Sequence, residues 1–411
     1  MLAIFHGLWR GGAQEATLEM FRLLRARGVE LNILTCNLAE RTLRAEIEGL
    51  GAPTFITEGR KVAWYPDLVV ENYAELVKSS DVAWISDIEY LVAPRIKRLR
   101  KDIPIIAHLH SYALACPIQS ALFGMRETCK VNCSQSVRRF MRCKQLSEEY
   151  QAHWDRRTGR RASSILNIPR SYVDFLRWPM NEGIINSIDG FVAVSSYTRD
   201  LVRIHLPQLN HVPIEVVHNP VILPKYSFAE NGRVSSGRTI LYVSGYSIGK
   251  GPHVAVYAVR KLIDEGSEGS TLTMLGGYDN AWIKSIVKEL RIEKYVKVLG
   301  RLPRTQVCAL MAESTVVLFP SLYLECLPTV PIESNLVGTP AIVSNRGATP
   351  DTIVDKVTGL VTEPSVSAVA KALAEGLQAN WDRESIAHVA KERFNPERSI
   401  DTLKQFLQSF V

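Results

Sequence analysis

Two glutamates, Glu325 and Glu333, are separated by seven residues in a stretch that suits the binding of phosphates and hydroxyl groups. The preceding run Val316–Phe319 is apolar and typical of a buried strand, whereas Thr329 and Pro331 are typical of the start of a helix. Glu325 then falls in the loop and Glu333 in the first turns of the helix. Because the amides at a helix start attract anions and carboxylates accept hydrogen bonds from hydroxyls, the pattern favours a phosphorylated sugar ligand.

This stretch resembles the signature of the family-4 retaining glycosyltransferases, in which two glutamates at this spacing follow Pro-Ser and an aromatic residue. In a chain with 42 acidic residues, the spacing alone also fits a solvated loop acid and an ordinary helix acid. The functional interpretation is favoured by the ordered block of residues 300–364. That block continues with further motifs of the family: Gly338-Thr339-Pro340, Gly347, Pro350-Asp351 and Thr358-Gly359-Leu360.

The resemblance implies a role for each part of this stretch. Glu325 would be catalytic and would bind the donor sugar, and Glu333 would hold the ribose hydroxyls. The donor diphosphate would lie against the turn formed by Cys326, Leu327, Pro328 and Thr329. Amide dipoles and a lysine would stabilise its charge, so that no metal ion or other cofactor is expected.

The lysine comes from a glycine-rich loop near the start of the C-terminal half of the chain. The apolar strand Thr239–Val243 precedes Gly245 and Lys250, which we expect to contact phosphate at the start of the next helix. A Walker loop is excluded because no Ser or Thr follows the lysine. In the family an arginine usually accompanies this lysine, whereas this chain has Tyr246 at that place. Further along, Leu302 in the turn Gly300–Pro303 is predicted to hold the nucleotide base through its backbone.

The N-terminal strand and helix are joined by a loop that contains Gly11 and Gly12, where backbone can approach a ligand closely. The Rossmann fingerprint is not matched, because a third glycine at the required spacing and an acid after the second strand are missing. In family-4 enzymes a similar loop contacts the donor phosphates and the acceptor. Gln14 replaces the glutamate of that loop, so only Gly11 and Gly12 are predicted to bind the donor.

His110 follows the apolar strand Pro104–Ala107, at the carboxyl end where parallel sheets bind ligands. A single histidine is more often structural. The family, however, has a histidine at the end of this strand that points toward the donor sugar. We therefore predict a catalytic role for His110 rather than for His108.

Four cysteines lie within 28 residues: Cys116, Cys129, Cys133 and Cys143. Thiolates suit zinc, but the spacing lacks the closely spaced pairs of a typical zinc site, and ordinary reduced cysteines are the alternative. A structural zinc site is therefore a secondary hypothesis.

Apolar strands alternate with amphipathic helices along the chain, which predicts an α/β fold with parallel sheets. Because 411 residues exceed one ordinary core, two domains are expected. The resemblance implies the GT-B fold, two Rossmann-like doubly wound domains facing across a cleft. We predict an acceptor-binding domain at residues 1–224, completed by a C-terminal helix at 396–411, and a nucleotide-sugar-binding domain at 225–395.

The net charge of +7 is concentrated in residues 126–161, a segment that contains ten Lys or Arg residues and four Asp or Glu residues. This segment suits an anionic membrane surface or a phosphorylated acceptor, although a solvated helix surface is the alternative. Nucleic acid is not expected because no base-stacking module accompanies the charge. The apolar runs are too short to span a membrane and the N-terminus lacks a leader pattern, which predicts a cytoplasmic protein that can associate with the membrane surface.

The sequence thus predicts a retaining hexosyltransferase that moves sugar from a nucleotide diphosphate sugar to a glycan or lipid-linked acceptor. Two alternatives stay open because Tyr246 and Gln14 depart from the family pattern. One is a non-catalytic protein that binds nucleotide sugars, and the other is a nucleotide-sugar epimerase of the same architecture.

Overall fold

The computed structural model describes the chain apart from residues 7–11, 37–44, 46, 51, 58–72, 117–120, 125–126, 131–135, 159–179, 226–237, 268 and 278–280. For residues 5–6, 36, 56–57, 87–89, 151–158 and 180–182 the structure describes the backbone alone. The described residues form two parallel sheets, one in each half of the chain.

The N-terminal sheet has seven strands in the order β3-β2-β1-β4-β5-β8-β9, and all neighbours are parallel. Its strands are β1 Leu2–His6, β2 Asn32–Cys36, β3 Thr54–Thr57, β4 Ala83–Ser86, β5 Ile105–Leu109, β8 Gly190–Ala193 and β9 Ile214–Val216. A separate antiparallel hairpin consists of β6 Leu122–Phe123 and β7 Glu127–Thr128.

The C-terminal sheet has six parallel strands in the order β12-β11-β10-β13-β14-β15. Its strands are β10 Arg238–Val243, β11 Ser270–Leu275, β12 Val296–Val298, β13 Val316–Phe319, β14 Ala341–Ser344 and β15 Gly359–Thr362.

Helices connect the strands in both halves. The described helices of the N-terminal half are α1 Gly12–Ala26, α2 Ala74–Ser79, α3 Ala93–Leu99, α4 Val137–Thr158, α5 Met180–Ile185 and α6 Ser196–His205. Those of the C-terminal half are α7 Pro252–Asp264, α8 Ala281–Glu289, α9 Arg304–Glu313, α10 Thr329–Leu336, α11 Val366–Gly376, α12 Arg383–Arg393 and α13 Pro396–Gln408. Short 3₁₀ turns lie at Asp87–Val92, Pro207–His211, Ile248–Lys250 and Pro350–Thr352.

Continuous apolar runs form the central strands because helices cover both faces of each sheet. In β1, Leu2 and Ile4 belong to one core cluster and Ala3 to another, as the alternation of side chains along a strand requires. The predicted fold class, two doubly wound parallel sheets, is confirmed.

Each sheet reverses its strand order at one point, between β1 and β4 in the N-terminal half and between β10 and β13 in the C-terminal half. The loops after β10 and β13 carry Lys250 and Glu325, respectively. Ligands bind at the carboxyl ends of strands beside such reversals, so the topology brings these two side chains to the expected place.

The last helix, α13, packs against the N-terminal half. Its side chains Ile400, Leu403 and Leu407 are buried in the cluster that contains Trp84. Arg27, just after α1, forms ion pairs with Glu397 and Asp401 of α13. The predicted domain boundary near residue 224 lies beside residues 226–237, outside the described part, and stays a prediction. Among the described residues, none of the helices combines the length and apolar character needed to cross a lipid bilayer.

We predict that Leu403→Ala lowers the stability of the protein by about 2–5 kcal/mol, because the substitution leaves a cavity in a fully buried site. The free energy of unfolding in urea measures the effect. Gln405→Ala, at an exposed position of the same helix, is the matched control and should change little. Equal stability of the two variants would contradict the packing of α13.

Candidate functional site

Lys250 and Glu325 form an ion pair between the loops that follow β10 and β13. Lys250 Nζ donates hydrogen bonds to Glu325 Oε1 at 2.7 Å and to Oε2 at 2.9 Å. The Glu325 side chain is 12% exposed and that of Lys250 29%, so water screens the pair only in part. Ser321 Oγ, which is fully buried, donates a further hydrogen bond to Glu325 Oε1 at 2.6 Å. The carboxylate therefore has a fixed position and a compensated charge.

The glycines on either side of Lys250 allow this contact. A methyl group on Gly249 would lie 2.0 Å from the Tyr323 ring, and one on Gly251 would lie 2.0 Å from the Pro320 carbonyl oxygen. Gly251 also has a φ of 69°, which favours glycine. Glycine at these two positions lets the two loops approach closely enough to pair Lys250 with Glu325.

A third loop fixes the backbone of Glu325. The amide of Ala348 donates to the Glu325 carbonyl oxygen at 2.8 Å. Gly347, with a φ of 61°, packs so closely that a methyl group there would lie 2.4 Å from the same oxygen. Gly347, which belongs to the family motifs noted in the sequence, is thus required because the two backbones lie so close together.

The N-terminal half holds the next peptide group. Ser195 Oγ and Thr198 Oγ1, at the start of α6, donate to the Cys326 carbonyl oxygen at 2.5 and 3.2 Å. Pro328 precedes α10 and provides no side-chain cap. Within the described part of the chain, the amides of Leu327, Thr329 and Val330 have no hydrogen-bond acceptor. The Cys326 carbonyl oxygen is thus held by α6, while the amides at the start of α10 stay available for an anion.

A cavity of about 830 Å³ lies beside this turn, between the two sheets. Three helices contribute their first residues to its wall, namely Gly12 of α1, Arg304 of α9 and Thr329 of α10. Because the positive ends of three helix dipoles meet there, the cavity favours an anionic ligand. The other lining residues are Glu15, Val243, Ser244, Gly245, Leu275, Gly276, Gly277, Arg301, Leu302, Pro303, Val307, Val330 and Glu333.

Glu333 projects from α10 into this cavity and pairs with Arg304, whose NH2 group donates to Oε1 at 2.9 Å. Burial raises the pKa of the Glu333 carboxyl, Arg304 opposes that shift, and the charge of Glu15 adds to it. Glu15 belongs to the N-terminal half, so the charge of Glu333 depends on groups from both sides of the cleft.

The structure distributes the predicted donor-binding residues over two adjoining regions. Gly12, Gly245, Leu302, Thr329 and Glu333 line the large cavity. The remaining described ones do not line it and instead build the neighbouring turn and ion pair: Lys250, Glu325, Cys326, Leu327 and Pro328. Gly11 lies outside the described residues. The ligand roles of all these residues stay predictions.

Sequence reasoning missed two arginines and two glycines of the cavity. Arg301 and Arg304 stand in the turn and helix start after β12, and Gly276 and Gly277 directly follow β11. The signal that could have found them is their position at the carboxyl ends of neighbouring strands. Lone arginines after a strand are too common in sequences to be assigned without the fold.

Tyr246, which stands where the family usually has an arginine, packs in the interior and has a structural role. Its side chain is buried, and its hydroxyl lies 3.0 Å from the Met274 carbonyl oxygen and 2.7 Å from that of Leu299. Burial raises the pKa of this hydroxyl well above its usual value. Tyr246 therefore joins the ends of β11 and β12, and Arg301 and Arg304 provide positive charge in the cavity.

His110 lies at the end of β5, close to α1. Its Nε2 atom is 3.3 Å from Thr17 Oγ1, and its ring packs on that of His108 with 3.9 Å between ring centres. Burial lowers the pKa of His110 to about 4, so its imidazole is neutral at pH 7. His108 is fully buried, which also lowers its pKa, and it is unsuited to contact a ligand.

Three of the four clustered cysteines are buried thiols, namely Cys116, Cys129 and Cys143. Burial raises the pKa of Cys143, an effect that the other two thiols increase, and Gly124 donates its amide to the Cys143 sulfur at 3.3 Å. Cys133 lies outside the described residues. In the part of the chain that the structure describes, no three His, Cys, Asp or Glu side chains are arranged to hold a metal. A zinc site stays a prediction.

The basic segment 126–161 includes α4, whose side chains are described up to Tyr150. Arg139 lies over the Phe123 ring at 4.5 Å, and Tyr150 packs against the core of the C-terminal half. Part of this helix therefore contributes to packing, and contact of its basic side chains with a membrane or acceptor stays a prediction.

Family models match almost the entire chain. Residues 10–223 match the model described as Glycosyltransferase Family 4, and residues 226–393 match the one described as Glycosyl transferases group 1. The first match alone covers more than half of the chain.

Individual relatives are more distant. Glycogen synthase of Mycobacterium tuberculosis is 25% identical over 217 residues, which are 52% of this chain and 51% of that protein. The mouse alpha-1,3/1,6-mannosyltransferase ALG2 is 24% identical over 276 residues, which are 61% of this chain and 65% of that protein. The chain spans about half the length of the first curated relatives it matches.

Two solved structures show the same fold. HepE of Anabaena, in complex with UDP and glucose, superposes with a TM-score of 0.69 at 15% identity and 99% coverage of both chains. A glycosyltransferase of Rickettsia africae superposes with a TM-score of 0.66 at 15% identity, over 100% of this chain and 97% of that one.

We predict that Gly347→Ala destabilises the protein more than Gly28→Ala. Both glycines have positive φ values, which cost an alanine about 1–2 kcal/mol, but only the Gly347 variant also collides with the Glu325 backbone. That collision should add about 1–3 kcal/mol. Urea unfolding at pH 7 measures both variants, and equal losses would show that the Gly347 contact is loose.

We also predict a pH effect from His110. Its pKa is near 4 in the folded protein and 6.5 when unfolded, so the unfolded chain takes up a proton as the pH falls from 6.5. The stability that depends on the neutral ring is present above pH 6.5 and is lost toward pH 4. The difference in unfolding free energy between pH 7 and pH 5 should shrink in His110→Gln. His388→Gln, at an exposed position, is the control and should leave that difference unchanged.

Proposed function

Since the chain belongs to glycosyltransferase family 4, we propose that it moves a hexose-like sugar from a nucleotide diphosphate sugar to an acceptor hydroxyl, with retention of configuration. The observation that carries this proposal is the Lys250–Glu325 pair beside a cavity at which three helix N-termini meet. The acceptor would be a glycan or a lipid-linked saccharide in glycan synthesis.

The nucleoside would occupy the 830 Å³ cavity, whose size is typical of small-molecule sites. Leu302 would hold the base from the turn after β12. Glu333 would accept hydrogen bonds from the ribose hydroxyls. Its ion pair with Arg304 opposes the effect of burial on the pKa of Glu333 and favours the charged carboxylate, which is the stronger acceptor.

The diphosphate would lie at the start of α10, where the amides of Leu327, Thr329 and Val330 have no acceptor in the described part of the chain. Breaking the bond from the sugar carbon to the phosphate oxygen leaves negative charge on the diphosphate. Amides and a lysine that already point at that charge stabilise it without reorganising. Lys250 has three donor hydrogens and can contact the phosphate while it stays paired with Glu325.

Glu325 would hold the donor sugar and stabilise the positive character that develops at the anomeric carbon. Its carboxylate accepts hydrogen bonds from Lys250 and Ser321, which lowers its reactivity as a nucleophile. An electrostatic role therefore fits better than a covalent glycosyl–enzyme intermediate. Retention would then follow from attack on the face that the diphosphate leaves.

The relatives suggest which donors to test first. The HepE structure contains UDP and glucose, and ALG2 carries the name of a mannosyltransferase. A thermal-shift screen with UDP-glucose and GDP-mannose is the natural first experiment, since a ligand that binds only the folded state raises the melting temperature. Vesicles with anionic lipids would test the proposed contact of the basic segment 126–161 with a membrane.

With the donor that binds, we predict that Glu325→Gln lowers kcat/KM for nucleoside diphosphate release at least about 100-fold, because the charge facing the anomeric carbon is lost. Lys250→Met should reduce both donor affinity and kcat. Lys261→Met, which removes a lysine from the surface pair with Glu265, is the matched control and should behave as wild type. Chromatographic detection of the released diphosphate measures all three variants.

Other outcomes would identify the alternatives. Tight donor binding without turnover for any acceptor would contradict the transferase proposal and favour a non-catalytic binding protein. Conversion of the donor sugar without an acceptor, seen by NMR of the products, would favour an epimerase.

A further inference from the structure

Arg304 is paired with Glu333 in the same way as Lys250 is paired with Glu325. The NH2 group of Arg304 donates to Glu333 Oε1 at 2.9 Å, and Lys250 donates to both carboxylate oxygens of Glu325. In both pairs the cation is the more exposed partner, and for Arg304 and Glu333 the side chains are 30% and 14% exposed. Each glutamate of the site is thus accompanied by a cation that stays partly accessible to a ligand.

The pair of Arg304 and Glu333 lies about one helical turn from the start of α10. Glu333 follows Thr329, the first residue of α10, by four positions, so their side chains are neighbours on one face of the helix. Thr329, Glu333 and Arg304 together line the 830 Å³ cavity and also a smaller cavity of about 50 Å³ that shares this wall. An anion held at the start of α10 is therefore within reach of the Arg304 side chain.

The guanidinium of Arg304 can hold Glu333 and a phosphate at the same time. It has five donor hydrogens in a planar fork, and the bond to Glu333 uses one of them. The charged side chains that line the large cavity are Glu15, Glu333, Arg301 and Arg304, and their formal charges cancel. A phosphate in this cavity therefore depends on the helix starts and on individual donors that meet it directly, rather than on an overall positive charge.

We propose that Arg304 binds the phosphate attached to the ribose while it stays paired with Glu333, and that Lys250 meets the phosphate attached to the sugar. This inference rests on the proposed function, which has the ribose at Glu333 and the sugar at Glu325. The phosphate next to the ribose then lies between Glu333 and the start of α10, where Arg304 reaches it. The two pairs divide the diphosphate between them, so a nucleoside monophosphate already has the contact with Arg304.

The first test compares uridine, guanosine and adenosine with their monophosphates by isothermal titration calorimetry. For the base that binds, the wild type should bind the monophosphate at least about tenfold more tightly than the nucleoside, the usual value of one hydrogen bond between charged groups. Arg304→Gln should remove most of that gain, whereas Lys250→Met and the exposed control Arg398→Gln should keep it. A gain that Arg304→Gln leaves intact, or an equal weakening of nucleoside and monophosphate, would overturn the proposal.

The second test separates a phosphate contact from mere neutralisation of Glu333. In Arg304→Gln the unpaired Glu333 carboxylate would itself repel a phosphate, but the double variant Arg304→Gln/Glu333→Gln lacks that charge. The double variant should still lack the gain from the monophosphate, whereas Glu333→Gln alone should keep it. Recovery of the gain in the double variant would show that Arg304 acts only through Glu333 and would contradict the inference. A folded protein that binds neither nucleosides nor nucleotides would contradict the proposed function as well.

Discussion

The ion pair between Lys250 and Glu325 is the contact on which the arrangement of the site depends. It joins the loops after the two strands that flank the reversal point of the C-terminal sheet. The pair forms only because Gly249 and Gly251 let the loops touch. In the proposed reaction, the Glu325 carboxylate would repel a diphosphate next to it, and Lys250 would offset that repulsion by attracting both groups. The pair would thus let one pocket hold a negative leaving group and stabilise a positive sugar carbon.

The two halves of the chain meet at the same turn. Ser195 and Thr198 bond the Cys326 carbonyl from the N-terminal half, and Gly12 lies against Thr329 at the start of α10. The Cys326 carbonyl oxygen is therefore held by α6 of the N-terminal half, and α10 begins where the two halves are in contact. The proposed donor site would accordingly lie between the two sheets.

The fold class could be predicted from sequence because alternating apolar strands and amphipathic helices have distinct periods, and the family motifs specified the arrangement of the two sheets. Lys250, Glu325 and Glu333 could be named because each lies in a loop or helix start with recognisable glycines and prolines. The hydrogen-bonding partners of the site residues could not be predicted from the sequence. Arg304 pairs with Glu333 across 29 residues and Ser195 reaches Cys326 across 131, and such contacts depend on the packing of sheets. Tyr246 shows the same limit, because its hydroxyl partners lie at the ends of two other strands.

We expect the cleft to recognise a nucleoside diphosphate chiefly through its phosphates, at Lys250 and the start of α10. Isothermal titration calorimetry of UDP, GDP and ADP against the corresponding nucleosides measures this preference. One of the diphosphates should bind at least about 100-fold more tightly than its nucleoside, as several charge-assisted hydrogen bonds require, and Lys250→Met should remove most of that difference. A nucleoside that binds as tightly as its diphosphate, or a difference that Lys250→Met leaves intact, would show that the phosphates are not the main contact.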